Sequence, residues 1–453
     1  MKKGFTLIEL LAVIVILAII ALIATPIVLD IIEDSKESSN IQSINSLVDM
    51  AEIYATSNEA TGNLYDKVID KIKGTKPDNG TIYVNKKGEV ALALKYNNKC
   101  YVKAYDSNKI TQSKDENCIV PIDYLMVVDT TNNDDIAAFG GPIKRKKVER
   151  IITVSTNEVP DDIIGSFDVS ENQNESIMAW YKDEDNNGLY ELYIGQDGGV
   201  KANPDSTKLF NYYKNVISMD LSNMDTSNVN MMRAMFQSCE QLQTLNLSNF
   251  DTLNVINMQA MFNHCKSLQT LDLSSFDTSK VTTMKLMFQQ LESLESLDLS
   301  SFDTSNVTDM SFMFSGLLVD HLDLSNLNTS NVVDMQFMFQ GIKNIKTLDL
   351  SMFDTSKVTN MNHMFSFSTE LQNLNLNNFI TSNVVDMSTM FNNTPNLKII
   401  NMNKADFTKV TILEHMFNLS GVTNITVKDE IAKAFIEARL TDASITGATV
   451  EIS

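Results

Sequence analysis

The sequence predicts a multidomain α+β protein. A long N-terminal helix and a small β domain come first. A solenoid of about eight repeats of 25–26 residues, each a strand plus a short helix, follows between capping segments. Three observations support this prediction: an apolar run over 5–29, alternating apolar and polar residues over 80–122, and a repeated unit from Met219 onward. With 453 residues, the chain is longer than one ordinary domain.

The apolar run from Phe5 to Leu29 contains a single charge, Glu9. At about 1.5 Å per residue, a helix of this length spans the hydrocarbon core of a bilayer. Lys2 and Lys3 precede it, as expected on the cytoplasmic side of a single-pass helix. A cleaved secretory signal does not fit, because its apolar core has only about 7–15 residues. Glu9 needs an explanation, since a carboxylate in an apolar span costs at least ~2.5–3.5 kcal/mol.

The stretch KKG-FTLIEL resembles the N-terminal signature of type IV pilins and pseudopilins. The resemblance implies that a prepilin peptidase cleaves between Gly4 and Phe5, and that Phe5 is then N-methylated. It also assigns filament assembly to Glu9, whose buried carboxylate pairs with the Phe5 amine of a neighbouring subunit. Pro26 falls at the family's proline position, where one missing backbone hydrogen bond lets the helix kink. A plain membrane anchor explains the length of the run but not Glu9.

After the four-residue leader 1–4, we expect one helix over 5–59 that spans the membrane and continues as a spine, because apolar residues recur at helical spacing to about residue 53. In pilins this spine carries a small sheet, although a simple stalk helix is an alternative. A pilin-like β domain is predicted over 60–122, where GTIYVNKKGEVALALKY alternates across a turn at Lys86–Gly88.

Cys100 and Cys118 bracket a loop at the end of this domain. Many pilins carry a disulfide-closed loop near the end of their sheet, and an exported domain sits in an oxidising place. The resemblance therefore implies a Cys100–Cys118 disulfide, with two unrelated buried thiols as the alternative.

The second half of the chain repeats a unit of roughly LDLSNFDTSNVTDMSFMF. The steps are 26 residues except for one of 25 between Leu297 and Leu322. A fixed period predicts a solenoid, because one unit cannot bury its apolar face alone. Each unit is expected to hold an L-x-L strand, a D-T-S turn and a V-x-x-M-x-x-M-F helix whose methionines belong to the core. The first leucine position falls at Met219, Leu245, Leu271, Leu297, Leu322, Leu348, Leu374 and Ile400.

The unit is similar to that of BspA-like leucine-rich-repeat surface proteins, and so is the segment before it, with FDVS, IMAWY, LYIGQDGGV and LFNYYKNV. We therefore expect a linker over 123–147, an N-terminal cap over 148–215, repeats over 216–427 and a C-terminal cap over 428–453. The last of these contains an amphipathic helix, KDEIAKAFIEARL, and a final strand. Terminal units of a solenoid must cover its open ends.

The repeats offer one candidate ligand-facing stripe. The middle residue of L-x-L points away from the core, because side chains alternate along a strand. A merely solvated face is the alternative. The stripe consists of Asp220, Asn246, Asp272, Asp298, Asp323, Asp349, Asn375 and Asn401.

Two other repeated positions have competing interpretations. The aspartates of the D-T-S turns either bind cations or, as we favour, make local turn and capping hydrogen bonds. They are Asp225, Asp251, Asp277, Asp303, Asp354 and Asp406. Cys239 and Cys265 occupy one position of adjacent units, and either pair or fill the core as free thiols.

Several functional classes are disfavoured. The net charge of −21 argues against nucleic acid and anionic membrane surfaces as partners. No nucleophile elbow, phosphate loop or zinc spacing occurs in the sequence. His363 and His415 stand two units apart, roughly 10 Å, which is too far to share a metal. We expect no enzymatic activity, no cofactor and no metal.

The sequence thus predicts a type IV pilin-like subunit that displays the solenoid on the cell exterior. Adhesion or protein binding is what the BspA-like resemblance implies. Expected partners are a prepilin peptidase and methylase, other pilin subunits, and an extracellular protein or matrix ligand. The chain would sit first in the cell membrane, single-pass with a cytoplasmic N-terminus, and then in a pilus at the cell surface. A bulky solenoid favours a minor or tip subunit. The alternatives are a pseudopilin of a secretion or DNA-uptake machine, and a membrane-anchored surface protein that never polymerises.

Overall fold

The computed structural model describes residues 35–57, 62–72, 75–84, 88–104, 107, 109–113, 118, 125–127, 132–171 and 175–453. Gly4, Phe5, Glu9 and Pro26 lie outside the described residues, as does the predicted helix before residue 35. The chain divides into two compact units, Met1–Asp123 with Asn172–Glu175 and Tyr124–Glu171 with Ser176–Ser453. Both contain mostly strands, with few helices.

The first unit packs a helix on a five-stranded antiparallel sheet. Helix α1 covers 35–57 and buries Ile44, Leu47, Val48, Ala51 and Ala55, which share one helical face. A short helix, α2 (Tyr65–Val68), and a 3₁₀ turn (Ile69–Lys71) follow. The strands run in sequence order: β1 (Gly62–Asn63), β2 (Asn79–Val84), β3 (Val90–Tyr96), β4 (Lys99–Lys103) and β5 (Thr111–Ser113).

The predicted hairpin corresponds to β2 and β3, which pair from Asn79 opposite Lys95 to Val84 opposite Val90. Strand β3 is buried at every position except Lys95, because α1 covers part of this sheet with apolar side chains. A disulfide joins Cys100 in β4 to Cys118, with a Cα–Cα distance of 5.3 Å. It ties the segment after β5 back to the sheet.

The second unit begins with a cap built on a six-stranded sheet. Its order is β13-β11-β6-β9-β8-β7, and β6 pairs in parallel with β11, so that Ile151 lies opposite Met219. The cap thus adds a strand before the first L-x-L strand. The six strands of this sheet are β6 (Val148–Val154), β7 (Gly165–Asp168), β8 (Met178–Lys182), β9 (Tyr190–Gly195), β11 (Ser218–Asp220) and β13 (Thr244–Asn246). Strands β10 (Val200–Lys201) and β12 (Met224–Asp225) pair in parallel in a separate two-stranded sheet.

The predicted linker over 123–147 is not an open connection in its described part. Residues 132–147 pack into the second unit, where Phe139 and Arg145 are buried. The Arg145 guanidinium donates two hydrogen bonds of 2.8 Å to Asn211, one to the backbone oxygen and one to Oδ1. A buried cation needs such partners, since an unpaired one would be strongly destabilising.

Two parallel ladders connect successive repeats. The first uses the L-x-L strands and is regular at both ends of the array, through β11–β13 and through β14 (Thr347–Asp349), β15 (Asn373–Asn375), β16 (Ile399–Met402) and β17 (Asn424–Val427). The second is a chain of single-residue bridges that runs without a break. It joins Asp205, Met231, Asn257, Thr283, Asp309, Asp334, Asn360, Asp386 and Ile412.

The predicted short helix in each repeat is wrong. In the repeat of Met232, the N–H groups of Ala234 and Phe236 donate to Gln259 and Met261 of the next repeat, at 2.7 and 2.9 Å. A helix would send these donors four residues back along its own chain. Instead, the segment turns twice through left-handed residues, which frees alternate N–H groups to bridge to the neighbouring repeat.

These left-handed residues recur at two positions, which we call the first and second corners. The first corners have φ between 55 and 61° and the second corners between 56 and 70°. The first corners are Ala234, Ala260, Leu286, Phe312, Phe337, His363, Thr389 and His415. The second corners are Ser238, His264, Gln290, Gly316, Gly341, Phe367, Asn393 and Leu419.

A column of stacked phenylalanines fills the centre of the repeats. Ring centroids of successive members are 5.1–6.1 Å apart. The methionines of the repeated unit, such as Met310 and Met313, are fully buried beside them, so their predicted place in the core is confirmed. The column consists of Phe210, Phe236, Phe262, Phe288, Phe314, Phe339, Phe365, Phe391 and Phe417.

The C-terminal segment contains helix α3 (Glu430–Asp442) and strand β18 (Thr449–Ile452), which pairs in parallel with β17. The Asp429 side chain accepts a hydrogen bond of 2.8 Å from the Ala432 N–H and so caps the helix. The Phe435 ring stacks on Phe407 at 4.5 Å. From residue 35 onward, no described helix combines the length and apolar character needed to cross a membrane.

Candidate binding surface

The predicted ligand-facing stripe lies on the L-x-L face, where its side chains are exposed or half-buried. Its members also shape the turns that follow them. Asp298 Oδ1 accepts a hydrogen bond of 2.9 Å from the Ser300 N–H, and Asp323 Oδ1 accepts one of 3.0 Å from the Ser325 N–H. These are Asx turns, which the same residue types form readily. The hypothesis that the stripe contacts a ligand stays a prediction.

Hydrogen bonds favour the charged form of Asp272, Asp298 and Asp323 within the stripe. The pKa of Asp298 is lowered by the backbone N–H and hydroxyl of Ser300, despite the opposing effects of Asp323 and Asp272. Within the stripe, the Asn246 amide donates to Asp220 Oδ1 and the Asn375 amide to Asp349 Oδ1, both at 3.0 Å. The stripe is therefore an ordered acidic surface at neutral pH.

The aspartates of the D-T-S turns cap those turns, as predicted. Asp354 Oδ1 accepts a hydrogen bond of 2.9 Å from the Ser356 N–H, and this pattern recurs at the other five positions. The neighbouring threonines form a ladder that sequence reasoning missed. Thr355 Oγ1, for example, donates to the Ile380 oxygen at 3.0 Å and accepts from the Ile380 N–H at 2.8 Å.

Sequence reasoning also missed a third Asx turn, which occurs in most repeats. It follows the bridge positions, where Asp334 Oδ1 accepts from the Gln336 N–H and Asp386 Oδ1 from the Ser388 N–H, at 2.9 and 2.8 Å. The sequence did contain a signal for these turns, because Asn, Asp or Thr recurs at most bridge positions. These turns account for many of the acidic and amide side chains of the repeats as parts of the fold.

No cluster of three or more His, Cys, Asp or Glu side chains stands ready to hold a metal ion in the part of the chain that the structure describes. The His363 ring stacks on Phe337 at 4.4 Å, and burial lowers its pKa. Phe312 continues this outward-facing stack at 4.3 Å from Phe337. This run of three rings occupies first corners, whose residue type varies too much between repeats to be predicted.

Cys239 and Cys265 are free and fully buried. Each Sγ donates a hydrogen bond of 3.1 Å to a backbone oxygen of the preceding repeat, that of Phe210 for Cys239 and that of Phe236 for Cys265. Burial raises the pKa of Cys239 to about 12. We predicted either a disulfide between these two cysteines or free thiols that fill the core, and the structure has free thiols.

Comparisons with known proteins give matches to two separate parts of the chain. Residues 1–25 match the prokaryotic N-terminal methylation motif. Residues 205–318 and 317–429 match a family described as Mycoplasma protein of unknown function, DUF285. No curated protein and no solved structure matches the chain.

The boundaries of the repeat match agree with the structure. The repeat match begins at Asp205, the first residue of the bridge ladder, and ends at Asp429, the cap of α3. The methylation motif implies processing by a prepilin peptidase and assembly with other pilins. The chain therefore carries an N-terminal motif of the kind found in type IV pilin-like or pseudopilin-like proteins, and repeats that are similar to the DUF285 family.

Proposed function

We propose that this protein is a minor or tip subunit of a type IV pilus, and that it displays its repeats on the cell exterior for adhesion or protein binding. One observation carries the proposal: a single chain holds the N-terminal methylation motif at 1–25 and the repeats at 205–429. The first is a means of export and assembly, and the second is a large ordered surface.

The N-terminal segment would act as the assembly handle. A peptidase would cut between Gly4 and Phe5, and the amine of Phe5 would be methylated. The run from Phe5 to Leu29 would hold the subunit in the membrane, with its N-terminus cytoplasmic, until assembly. Glu9 would then pair with the Phe5 amine of a neighbouring subunit inside the filament, and Pro26 would let the helix bend.

We infer that the repeats form a capped solenoid. The unbroken bridge ladder and the phenylalanine column support this, since both advance by one residue per repeat. At about 4.8 Å per strand, eight units make a rod roughly 40 Å long. The cap strand β6 on one side, and α3 with β18 on the other, would cover the ends and limit edge-to-edge association.

A binding role is favoured over catalysis. Each repeat uses its polar side chains mainly in turns and in hydrogen bonds to its neighbours, as at Thr355 and Asp354. The burial of the two free thiols also removes them as nucleophiles, because the thiolate form is suppressed. A bulky array behind a small pilin domain suits a minor position better than a repeated shaft position.

The test compares Glu9→Ala with Glu52→Ala, which removes an exposed carboxylate from α1. Cells carrying each variant are labelled with antibodies to the repeats and viewed by electron microscopy. We expect wild-type and Glu52→Ala cells to show label on filaments, and Glu9→Ala cells to lose it, because the assembly partner of the Phe5 amine is missing.

Other outcomes separate the alternatives. Label that stays on the cell body in all three strains contradicts the filament proposal and favours a membrane-anchored surface protein. Label confined to short structures at the envelope favours a pseudopilin. Label along the whole shaft shows that the subunit is major rather than minor.

A further inference from the structure

Two adjacent repeats lack side chains at their second corners and leave a groove there. Gly316 and Gly341 have φ of 70 and 68°, whereas the preceding repeat has Gln290 at this position and the following repeat has Phe367. The resulting groove has a volume of about 480 Å³. Pockets for small organic ligands commonly have volumes of about 300–1,000 Å³.

The same place interrupts the period of the sequence. Between the leucine positions from Met219 to Ile400, only the step from Leu297 to Leu322 has 25 residues, and the missing residue falls between Phe314 and Leu322. The other repeats of this range reach the next leucine position nine residues after the core phenylalanine, as from Phe288 to Leu297. The step from Ile400 to Ile425 in β17, at the end of the array, also has 25 residues. The shortened loop after Phe314 contains Leu318, which lines the groove. The groove and the irregular loop therefore coincide.

The lining combines an aromatic ring with uncharged amides. The Phe367 side chain is 44 % exposed, and its backbone N–H is fixed by a hydrogen bond of 2.9 Å to Asn392 of the next repeat. Gln290, Gln340 and Asn393 also line the groove. The Gln340 amide is oriented by the Ser315 hydroxyl, which donates to its Oε1 at 3.2 Å.

These groups suit a pyranose ring. One face of such a ring presents C–H groups of positive potential, which complement the negative face of an aromatic ring. Its hydroxyls both donate and accept hydrogen bonds, and so does a side-chain amide. Gln290 and Phe367 stand three repeats apart, roughly 14 Å at the strand spacing, which gives room for two or three linked sugars.

The charges around the groove favour a neutral ligand. Lys343 is the one cation of the lining. Glu292, the one anion, pairs with Lys266 at 3.1 Å. On a chain of net charge −21, an anionic glycan would be repelled by the surrounding surface, and a basic peptide would find no unpaired carboxylate within the lining.

We propose that the groove over Gly316 and Gly341 binds a neutral oligosaccharide. The proposal deepens the proposed function, on which it rests, by naming a glycan as the ligand of the displayed repeats.

The experiment uses the full chain in a zwitterionic detergent without a sugar headgroup. The protein is applied to an array of neutral oligosaccharides of two to four hexose or N-acetylhexosamine units, and the best probe is then titrated by calorimetry. Phe367→Ala removes the ring. Gly341→Asn fills the groove, and its Cβ finds space because the nearest atom is 4.0 Å away, while Asn393 shows that asparagine adopts this corner at φ 56°.

The matched control is Leu419→Ala, which removes an exposed apolar side chain from a second corner outside the groove. We expect Phe367→Ala and Gly341→Asn each to weaken binding at least about tenfold, and Leu419→Ala to change it less than about twofold. Circular dichroism of each variant verifies folding. Absence of binding to every neutral glycan overturns the inference, and so does binding that both groove variants retain.

The failure of this inference is distinguishable from that of the proposed function. Surface labelling of the repeats on cells reports display whether or not a sugar binds. Filament labelling without glycan binding would overturn only the assignment of the ligand class. Glycan binding in detergent without surface label would instead contradict the displayed role.

Discussion

Buried threonines link the repeats at the scale of single residues. Thr355 is fully buried, and its hydroxyl both donates to and accepts from the backbone of Ile380 in the next repeat. Equivalent hydroxyls at Thr226 and Thr381 also bond in both directions. An interior hydrogen bond contributes about 0.5–1.5 kcal/mol net, and more is lost when its partners stay buried without one.

The first prediction concerns this ladder. Thr355→Val keeps the side-chain shape but removes both hydrogen bonds, so we expect it to lower the free energy of unfolding by ~1–3 kcal/mol. The control Thr359→Val alters an exposed threonine with one hydrogen bond of 3.3 Å, and should cost less than ~0.5 kcal/mol. Urea titration followed by circular dichroism measures both. Equal effects of the two changes would contradict a structural role for the ladder.

The second prediction concerns pH and Cys239. Burial raises its pKa from about 9 to about 12, so the folded chain keeps a proton that the unfolded chain loses. The contribution of this thiol to stability is complete below about pH 9 and is lost as pH rises towards 12. Cys265 behaves in the same direction.

The matched variant is Cys239→Ser with Cys265→Ser. Ser368 holds the equivalent position in another repeat, where its hydroxyl donates to the Phe339 oxygen at 2.8 Å. Urea midpoints of wild type and variant, measured at about pH 8 and about pH 10, should diverge with alkali, wild type losing more stability. Parallel pH profiles for the two proteins would show that the thiols ionise freely in the folded chain.

At the scale of elements, the corners decide how each repeat folds. Thr389 is the β-branched residue among the left-handed corners of the repeats, at φ 55°. Branching at Cβ makes this conformation costly. Gly316 and Gly341 adopt the same handedness without that cost. If this segment were a helix, glycine would be the less stable choice, because it is unfavourable in helix interiors.

The third prediction uses this reversal. Thr389→Gly should stabilise the protein by roughly 0.5–1 kcal/mol, because it relieves strain and keeps the hydrogen bond from the residue 389 N–H to Glu414. Thr411→Gly, on the exposed face of the bridge ladder, should destabilise it by a similar amount. Thermal denaturation distinguishes the two signs. Destabilisation by Thr389→Gly would favour the helix that the sequence predicts.

The difference between left-handed corners and a helix explains which parts of the fold were predictable from the sequence. The 26-residue period and the burial of Phe314 and Met310 follow from the sequence alone, because both repeat in step. The corners do not, because the carbonyl partner of an N–H such as that of Phe236 lies in the next repeat. Apolar residues at i, i+3, i+6 and i+7 mark one face of a helix, but here they mark the inward positions of a bent chain.

The candidate binding surface likewise has one part that the sequence predicts and one part that it does not. The outward stripe from Asp220 to Asn401 was predictable from strand alternation, but its engagement in Asx turns was not considered. The groove at Gly316 and Gly341 depends on which side chains adjoin across three repeats. Which side chains lie next to one another can be worked out only when the positions of the corners are known.

At the scale of the whole molecule, the chain divides into two compact units. The first packs α1 on a sheet that carries the Cys100–Cys118 disulfide, and the second connects successive repeats through two parallel ladders. The N-terminal methylation motif matches residues 1–25. The account predicts that export and processing act on the N-terminus while binding belongs to the distant repeats.

Mass spectrometry of the N-terminal peptide tests this central claim most directly. Protein is recovered from the cell surface with antibodies to the repeats, and its N-terminus is then sequenced. The account predicts a peptide that begins at Phe5 and carries one methyl group on its amine. A surface-displayed chain that still begins at Met1, or that is cut elsewhere within the apolar run, would contradict it.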